Sequence, residues 1–331
     1  MEGDSKAKLL YVLQIMEKTD EDHPINSSGI IEKLRECGLD AERKSISRDI
    51  AALRDVGYSI ISCEALRDGY FMTDHIFEDY EIKIMADALA GAKFLTAEDT
   101  ENLVKKLGEL ASPTGEELLR GMTFIDPAIK STNRLVRYNI DYVITAIKKG
   151  RRLNFQYYEK APDGRRRLKR DGHVYEISPY YLVWINDEYF MIGNSKSHDH
   201  LTHFHVEDMT GTQVTDIPSR PRKEIEELTP DFSIGEYLRR NVNMYTGTEL
   251  ELTLRCSQCL AGDVTRRFGA VRMSPDRCGR FCVKVRANDS EGLLRWLMGY
   301  AADEMEVIGP ESVREKLAER ARASLELYGR H

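Results

Sequence analysis

The stretch Ala41-Glu-Arg-Lys-Ser-Ile-Ser-Arg-Asp-Ile-Ala-Ala-Leu-Arg-Asp-Val-Gly57 decides the reading of the N-terminal fold. Ile46, Ile50 and Leu53 recur every three or four residues, so a helix here turns them toward a core. At about 100° per residue, Lys44, Arg48 and Ala51 point the opposite way. That outer face carries cations and a small residue that lets the helix lie deep against a groove. A helix that reads DNA needs charged or hydrogen-bonding side chains near its N-terminal half, with hydroxyls for phosphates. Arg43, Lys44, Ser45, Ser47 and Arg48 are the candidates for that task.

Working outward, Leu9, Val12, Leu13 and Met16 form the core face of a first helix within Lys6 to Lys18. Asn26 or Ser27 caps a second helix carrying Ile30, Ile31 and Leu34, which stops at Cys37-Gly38. After the third helix, Tyr58 to Ser62 and Gly69 to Thr73 read as two short strands joined by a polar turn that holds Arg67. Helix, helix, helix, hairpin is the order of a winged helix-turn-helix, assigned to residues 1–75.

Residues 76–137 read as helical, interrupted at Thr96-Ala-Glu-Asp99 and Ser112-Pro-Thr-Gly115, and are taken as a connector or dimerisation region. A helix with Ile140, Val143, Ile144 and Ile147 on one face then opens a unit over 138–217. Strand-like runs follow at Leu153 to Tyr158, Val174 to Trp184, Tyr189 to Asn194 and His203 to Val206. The turns Ala161-Pro-Asp-Gly164, Asn186-Asp187 and Ser197-His-Asp199 join them into a small antiparallel β-barrel. Residues 218–247, beginning near Ile217-Pro-Ser-Arg-Pro221, are expected as a linker. In 248–331, the alternations Leu250, Leu252, Leu254 and Phe281, Val283, Val285 mark strands of an α+β extension whose last helix opens at Pro310. The whole is an α+β multidomain chain.

The 331 residues carry a net charge of −7, which taken alone disfavours a polyanionic partner. Distribution modifies this. Lys148 to Arg170 holds ten basic and two acidic residues, while Ser27 to Asp74 holds seven basic and nine acidic ones. A DNA-reading domain so poor in positive charge calls for dimerisation on paired half-sites. Six dispersed cysteines, no basic-then-apolar leader in MEGDSKAKLL and no long apolar run point to a cytoplasmic protein without a membrane partner. No nucleophile elbow, Gly-rich phosphate loop or paired metal-binding helix motif occurs, so no enzymatic activity and no cofactor are expected.

Three constellations have two readings each. The run Arg165-Arg-Arg-Leu-Lys-Arg170 is a clamp for phosphates or a solvated hairpin tip that keeps an edge strand from pairing. His203 and His205 share one strand face, as metal ligands or as barrel-lining residues. Cys256-x-x-Cys259 and Cys278-x-x-x-Cys282 have the spacing of zinc knuckles, yet Cys256 continues a buried alternation and is expected as a small apolar residue. No metal is expected.

The run from Lys44 to Gly57 closely resembles the recognition helix of the DeoR-like winged helix-turn-helix. That resemblance implies phosphate and DNA contacts from Ser45 and Arg48 and a wing closed by Gly69-Tyr70. Ile177-Ser-Pro-Tyr-Tyr-Leu-Val-Trp184 with Tyr189-Phe-Met-Ile-Gly193 resembles the WYL domain, an SH3/Sm-like barrel. Tyr189, Phe190 and Met191 stand where that family usually has Trp, Tyr and Leu. The tail from Thr248 to Tyr328 resembles the extension that often follows it. The likeness implies a sensor for a negatively charged ligand, often nucleic acid or a nucleotide, in a basic groove. The family's second signature reads Phe204-His205-Val206-Glu207-Asp208 here, with His205 in place of Arg and Asp208 in place of a basic residue, which leaves the ligand open. Tyr157, Arg165, Arg166, Arg167, Arg170, Tyr189, His203 and His205 are the candidate effector contacts. The expectation is a homodimeric regulator of double-stranded DNA whose sensor modulates binding. The alternative is an accessory single-strand-binding protein acting through the basic hairpin.

Overall fold

The computed structural model describes residues 2–162, 165–276 and 279–329. Asp163 and Gly164 of the expected turn, and Cys278 of the second cysteine pair, lie outside them. The chain forms two compact units, residues 1–137 and 138–331.

The first unit begins with three helices, α1 (Glu2–Met16), α2 (Ser27–Glu36) and α3 (Arg43–Asp55), and a short strand β1 (Ile25–Asn26). The hairpin β2 (Ile60–Cys63) and β3 (Gly69–Met72) follows, and β1 pairs with β3 on its other side. The Asn26 side chain accepts the Gly29 N–H at 2.9 Å, which satisfies an orphan donor of the α2 N-terminus. Val12, Met16, Ile30, Leu34, Ile46, Ile50, Leu53, Ile60 and Met72 close one core. Truncating a fully buried member such as Ile46 to Ala removes about 2–5 kcal/mol. Thr19 ties the end of α1 to the hairpin: its hydroxyl donates to Met16 O at 2.6 Å and accepts Met72 N–H at 3.0 Å.

Three further helices complete this unit: α4 (Asp79–Gly91), α5 (Ala97–Glu109) and α6 (Pro113–Met122). The breaks read from the sequence are helix starts. Thr96 accepts Asp99 N–H at 3.0 Å and Ser112 accepts Gly115 N–H at 2.9 Å, with Pro113 in the first turn. Ile82, Ala86, Ala111 and Leu119 are their shared core. Hydrogen bonds join the preceding part to these helices: Lys18 Nζ donates to Glu109 O and Thr114 N–H to Asp20, both at 2.8 Å, and the Thr114 hydroxyl donates to Asp22 at 3.5 Å.

The second unit opens with α7 (Val136–Lys149), which leads into a curled antiparallel sheet. Its strands are β4 (Arg151–Lys160), β5 (Arg166–Leu168), β6 (Tyr175–Ile185), β7 (Glu188–Ser195), β8 (Thr202–His205) and β9 (Met209–Pro218). They pair in the order β5-β4-β6-β7-β8, and β9 pairs with β4. Register shifts in β4–β9 and β6–β7 bend the strands, as inserted residues do. At Gly193 a Cβ would meet Ile177 at 2.6 Å and Ser178 O at 2.7 Å, so only glycine allows β6 and β7 to approach there. Asn186 and Asp187 both take positive φ, the requirement of a tight two-residue hairpin turn.

Each face of this sheet packs against something different. Leu153, Phe155, Ile177, Met191 and Phe204 meet Val143 and Ala146 of α7 on one side. Phe190 and Ile192 on the other side meet Ile225, Leu228, Tyr237 and Met244. The segment expected as a linker therefore supplies core: it includes α8 (Ile234–Arg240), and Ile217-Pro218 belong to β9. Ile234, Tyr237 and Leu238 do recur at helical spacing, but the run is a single seven-residue helix that opens behind Pro230 and sits among Pro218, Pro221 and many charges, so its apolar signal is short. The sequence reading likewise omits strands β5 and β9, since one is a run of cations and in the other Met209, Val214 and Ile217 stand five and three positions apart and break the alternation.

The remainder is a sheet of β10 (Thr248–Ser257), β11 (Met273–Pro275), β12 (Arg280–Asp289) and β13 (Met305–Gly309), in the order β11-β12-β10-β13. Leu252, Leu254, Cys256, Val283, Val285 and Ala287 face inward. Helices α9 (Ala261–Phe268), α10 (Glu291–Leu297) and α11 (Glu311–Tyr328) bring Val264, Phe268, Leu293, Leu297 and Val313 to the same core.

Candidate nucleic-acid interface

On α3, Arg43, Lys44, Ser47, Arg48 and Ala51 are exposed, while Ile46, Ile50 and Leu53 are buried. The outer face read from the periodicity is thus free of neighbours along most of its length. Ser45 behaves differently. Its hydroxyl bonds Lys8 Nζ of α1, and the same ammonium lies 2.8 Å from Asp49, so Ser45 and Asp49 turn inward. Arg43 donates to Ser28 of α2 at 3.0 Å, which aims its guanidinium across the gap between the two helices. Ser47 donates back to Arg43 O at 3.2 Å, and Arg48 Nε lies 3.4 Å from Lys44 O, a long contact easily exchanged for another acceptor. Arg67 is exposed on the β2–β3 turn.

Arg54 did not figure among the sequence candidates, although its place in the last turn of α3 is visible there. It donates to Ile60 O at 2.7 Å and to Ser62 at 3.1 Å, and its guanidinium lies 5.8 Å from the Tyr70 ring. This one side chain holds both hairpin strands to α3.

The second group of candidates divides between the two faces of the curled sheet. Tyr157 lies with Tyr175 and Phe204 on the α7 side, its ring 6.1 and 6.2 Å from theirs. The phenol oxygen accepts His205 N–H at 2.6 Å, and burial pushes its pKa up, so it stays neutral. Lys169 Nζ stands 5.8 Å from the Tyr157 ring, and the Arg166 guanidinium 5.9 Å from that of Tyr158, within the range of cation–π attraction. Arg166 also lies 3.9 Å from Glu207. Arg165, Arg167 and Arg170 are exposed on the same hairpin. Tyr189 stacks on Trp184, centroids 6.4 Å apart and planes 22° from parallel, and Trp184 is 49% exposed.

His203 and His205 do share a strand face, and it is the opposite one. His203 is enclosed: Nδ1 is 2.6 Å from Met244 O and Nε2 is 2.8 Å from the Tyr237 hydroxyl. A carbonyl only accepts, so Nδ1 carries the proton and Nε2 accepts from Tyr237. Burial lowers the His203 pKa, which keeps that tautomer neutral. The His205 ring lies 4.3 Å from that of Phe190 and 3.6 Å from the Glu188 carboxylate. Neither imidazole joins Tyr157 and the basic hairpin. Asp208 follows in the turn after β8, where its charge adds to the burial that keeps Tyr157 protonated.

Cys256 is fully buried, which pushes its thiol up to about 11, whereas Cys259 is exposed with Sγ 2.9 Å from the Ser257 hydroxyl. Among the described residues no group of three or more His, Cys, Asp or Glu is arranged to hold a metal ion. Among them, too, no helix is long and apolar enough to cross a membrane.

No curated protein matches the chain. A solved structure, proteasome accessory factor B/C (PafBC) of Arthrobacter aurescens, aligns with 97% of this chain at 17% identity and a TM-score of 0.29. The chain spans 49% of the length of that protein. Residues 139–214, α7 and the curled sheet, match the WYL domain, and residues 248–325 match the WCX domain; the chain therefore carries these two domains in succession.

Proposed function

We propose that this chain is a non-enzymatic, cytoplasmic transcription regulator that grips double-stranded DNA with a winged helix-turn-helix and modulates that grip through its WYL domain. The observation that carries this reading is the outer face of α3, where Lys44, Ser47 and Arg48 are exposed beside Ala51 and the hairpin stands next to the helix. Lys44 and Arg48 reach base edges or phosphates, Arg43 and Arg67 flank them, and Ser45 acts from inside by fixing α3 to α1. The presence of WYL and WCX domains supports a regulatory role. Binding of the full chain to its own upstream DNA, with and without Arg48→Ala over a range of salt, tests the assignment. Losing one phosphate or base contact weakens binding, and a lost phosphate contact lowers the salt slope by about 1. Equal affinity and equal slope in both proteins would remove the role assigned to Arg48.

The effector in this reading is a nucleotide or a short single strand, held where Lys169 and Arg166 stand over Tyr157 and Tyr158. Cations beside aromatic rings suit phosphates with stacked bases. Occupancy shifts an equilibrium between arrangements of the DNA-binding parts of a dimer. The same juxtaposition favours a second reading, in which the basic hairpin binds single strands as the main activity. Charge reversal at Arg165, Arg166 and Arg167 separates them: single-strand affinity falls in both cases, and duplex affinity is retained only in the first.

A further inference from the structure

Helix α4 is apolar on two opposite faces. Ile82, Ala86 and Ala90 are buried, the first two in the core shared with α5 and α6. Two residues earlier in each turn, Tyr80, Ile84 and Ala88 repeat every four positions on the far side, continued by Gly91, and all four are exposed. Tyr80 and Ile84 are 64% and 63% exposed, and Ile76 just ahead of the helix is 75% exposed. A helix with a single buried face normally carries charge on the other. Here the charges near the stripe are occupied within the chain: Lys83 pairs with Asp87, Glu81 accepts Glu78 N–H, and Asp79 accepts from Ser112.

We propose that this stripe is the contact between two copies of the chain, packed as antiparallel α4 helices about a two-fold axis at Ile84. The stripe runs from large side chains at Tyr80 and Ile84 to small ones at Ala88 and Gly91. An antiparallel copy therefore sets Tyr80 of one chain over Ala88 of the other, with Ile84 meeting itself. No Cβ at Gly91 would meet any atom within 4 Å, so that end leaves room for an approaching side chain. The flanks match as well, because the same register brings Lys83 of one copy beside Asp87 of the other, and each ion pair extends to a four-charge cluster. An isologous contact of this kind closes on itself and stops at two copies. The stripe is about 17 Å long. Such a contact is at the small end of specific interfaces, under about 1,200 Å² in all, so the dimer is weak and dissociates on dilution. The proposal deepens the DNA-binding reading, which needs two half-sites for a domain with little positive charge, but its test involves no DNA.

Sedimentation velocity on the full chain across a dilution series decides the matter, with circular dichroism to confirm that each variant is folded. Wild type shifts from dimer to monomer on dilution. Ile84→Lys and Ile84→Asp each stay monomeric, because like charges face each other on the axis. An equimolar mixture of the two associates at least about tenfold more tightly than either alone, because opposite charges now face each other. Tyr80→Ala weakens the dimer without introducing charge. Wild type that is monomeric throughout, single variants that dimerise like wild type, or a mixture no tighter than its components each overturn the proposal. Loss of DNA binding in Arg48→Ala would stand regardless, so failure here removes only the interface.

Discussion

The ammonium of Lys8 lies 2.8 Å from the carboxylate of Asp49, and the two side chains are only 13% and 15% exposed. Lys8 also bonds Ser45 one turn earlier on α3, so one cation of α1 fixes the rotation of the helix that presents Arg48. Breaking a pair this enclosed leaves a partly desolvated charge behind. Asp49→Ala is expected to lower unfolding free energy by about 1–3 kcal/mol. Asp55→Ala, at an exposed position on the same helix, stays within about 0.5 kcal/mol. Urea denaturation of the two variants checks this, and equal midpoints would deny Lys8–Asp49 a structural role.

Arg54 joins the hairpin to α3 without belonging to its outer face. Arg54→Ala is expected to cost about 1 kcal/mol through its lost hydrogen bonds to Ile60 O and Ser62. If it acts only by placing the hairpin, DNA affinity falls while the salt slope stays at the wild-type value, in contrast to Arg48→Ala. A reduced slope in Arg54→Ala would instead make it a phosphate contact.

His203 makes stability depend on pH in a defined direction. Its folded pKa is held below the ordinary 6.5 by burial. Below that ordinary value the unfolded chain takes up a proton that the folded chain refuses, so stability falls as pH drops and levels off below the folded pKa. His203→Gln removes this component. Denaturation midpoints of wild type and variant between about pH 7 and about pH 5 should converge as the pH falls, after allowing for a constant offset from the altered bonds to Met244 O and Tyr237. Parallel curves would mean that His203 titrates alike in both states.

Tyr157 separates structure from ligand recognition. Tyr157→Phe keeps the ring beneath Lys169 and deletes the oxygen that accepts His205 N–H, so a loss of about 1–3 kcal/mol in stability is expected with affinity for a short oligothymidylate retained. Lys169→Glu should do the reverse, weakening the oligonucleotide and leaving the denaturation midpoint within about 0.5 kcal/mol of wild type. Fluorescence anisotropy with a labelled strand measures the first quantity. Oligonucleotide affinity unmoved by Lys169→Glu would take the effector away from this hairpin.

What the sequence determined by itself is the set of elements whose pattern is local. The period of Ile46, Ile50 and Leu53 placed α3 and its outer face, Asn26 or Ser27 placed a cap that the fold assigns to Asn26, Asn186-Asp187 placed a hairpin, and the alternation through Leu252, Leu254 and Cys256 placed an inward strand face. Each follows from the geometry of one helix, turn or strand, and needs no knowledge of neighbours. Tertiary structure alone decided which groups meet. It put Lys8 against Asp49 across 41 positions of sequence, turned His203 toward Met244 and Tyr237 and away from Tyr157, and made core of residues 225–244, whose short apolar runs do not say which face they cover. Those pairings depend on packing between elements distant in the chain, where the free energy of burial is non-directional and leaves no local signature. The exposed stripe of α4 shows both levels at once: its apolar repeat is written in the sequence, and only the fold shows that α5 and α6 cover the other face and leave this one bare.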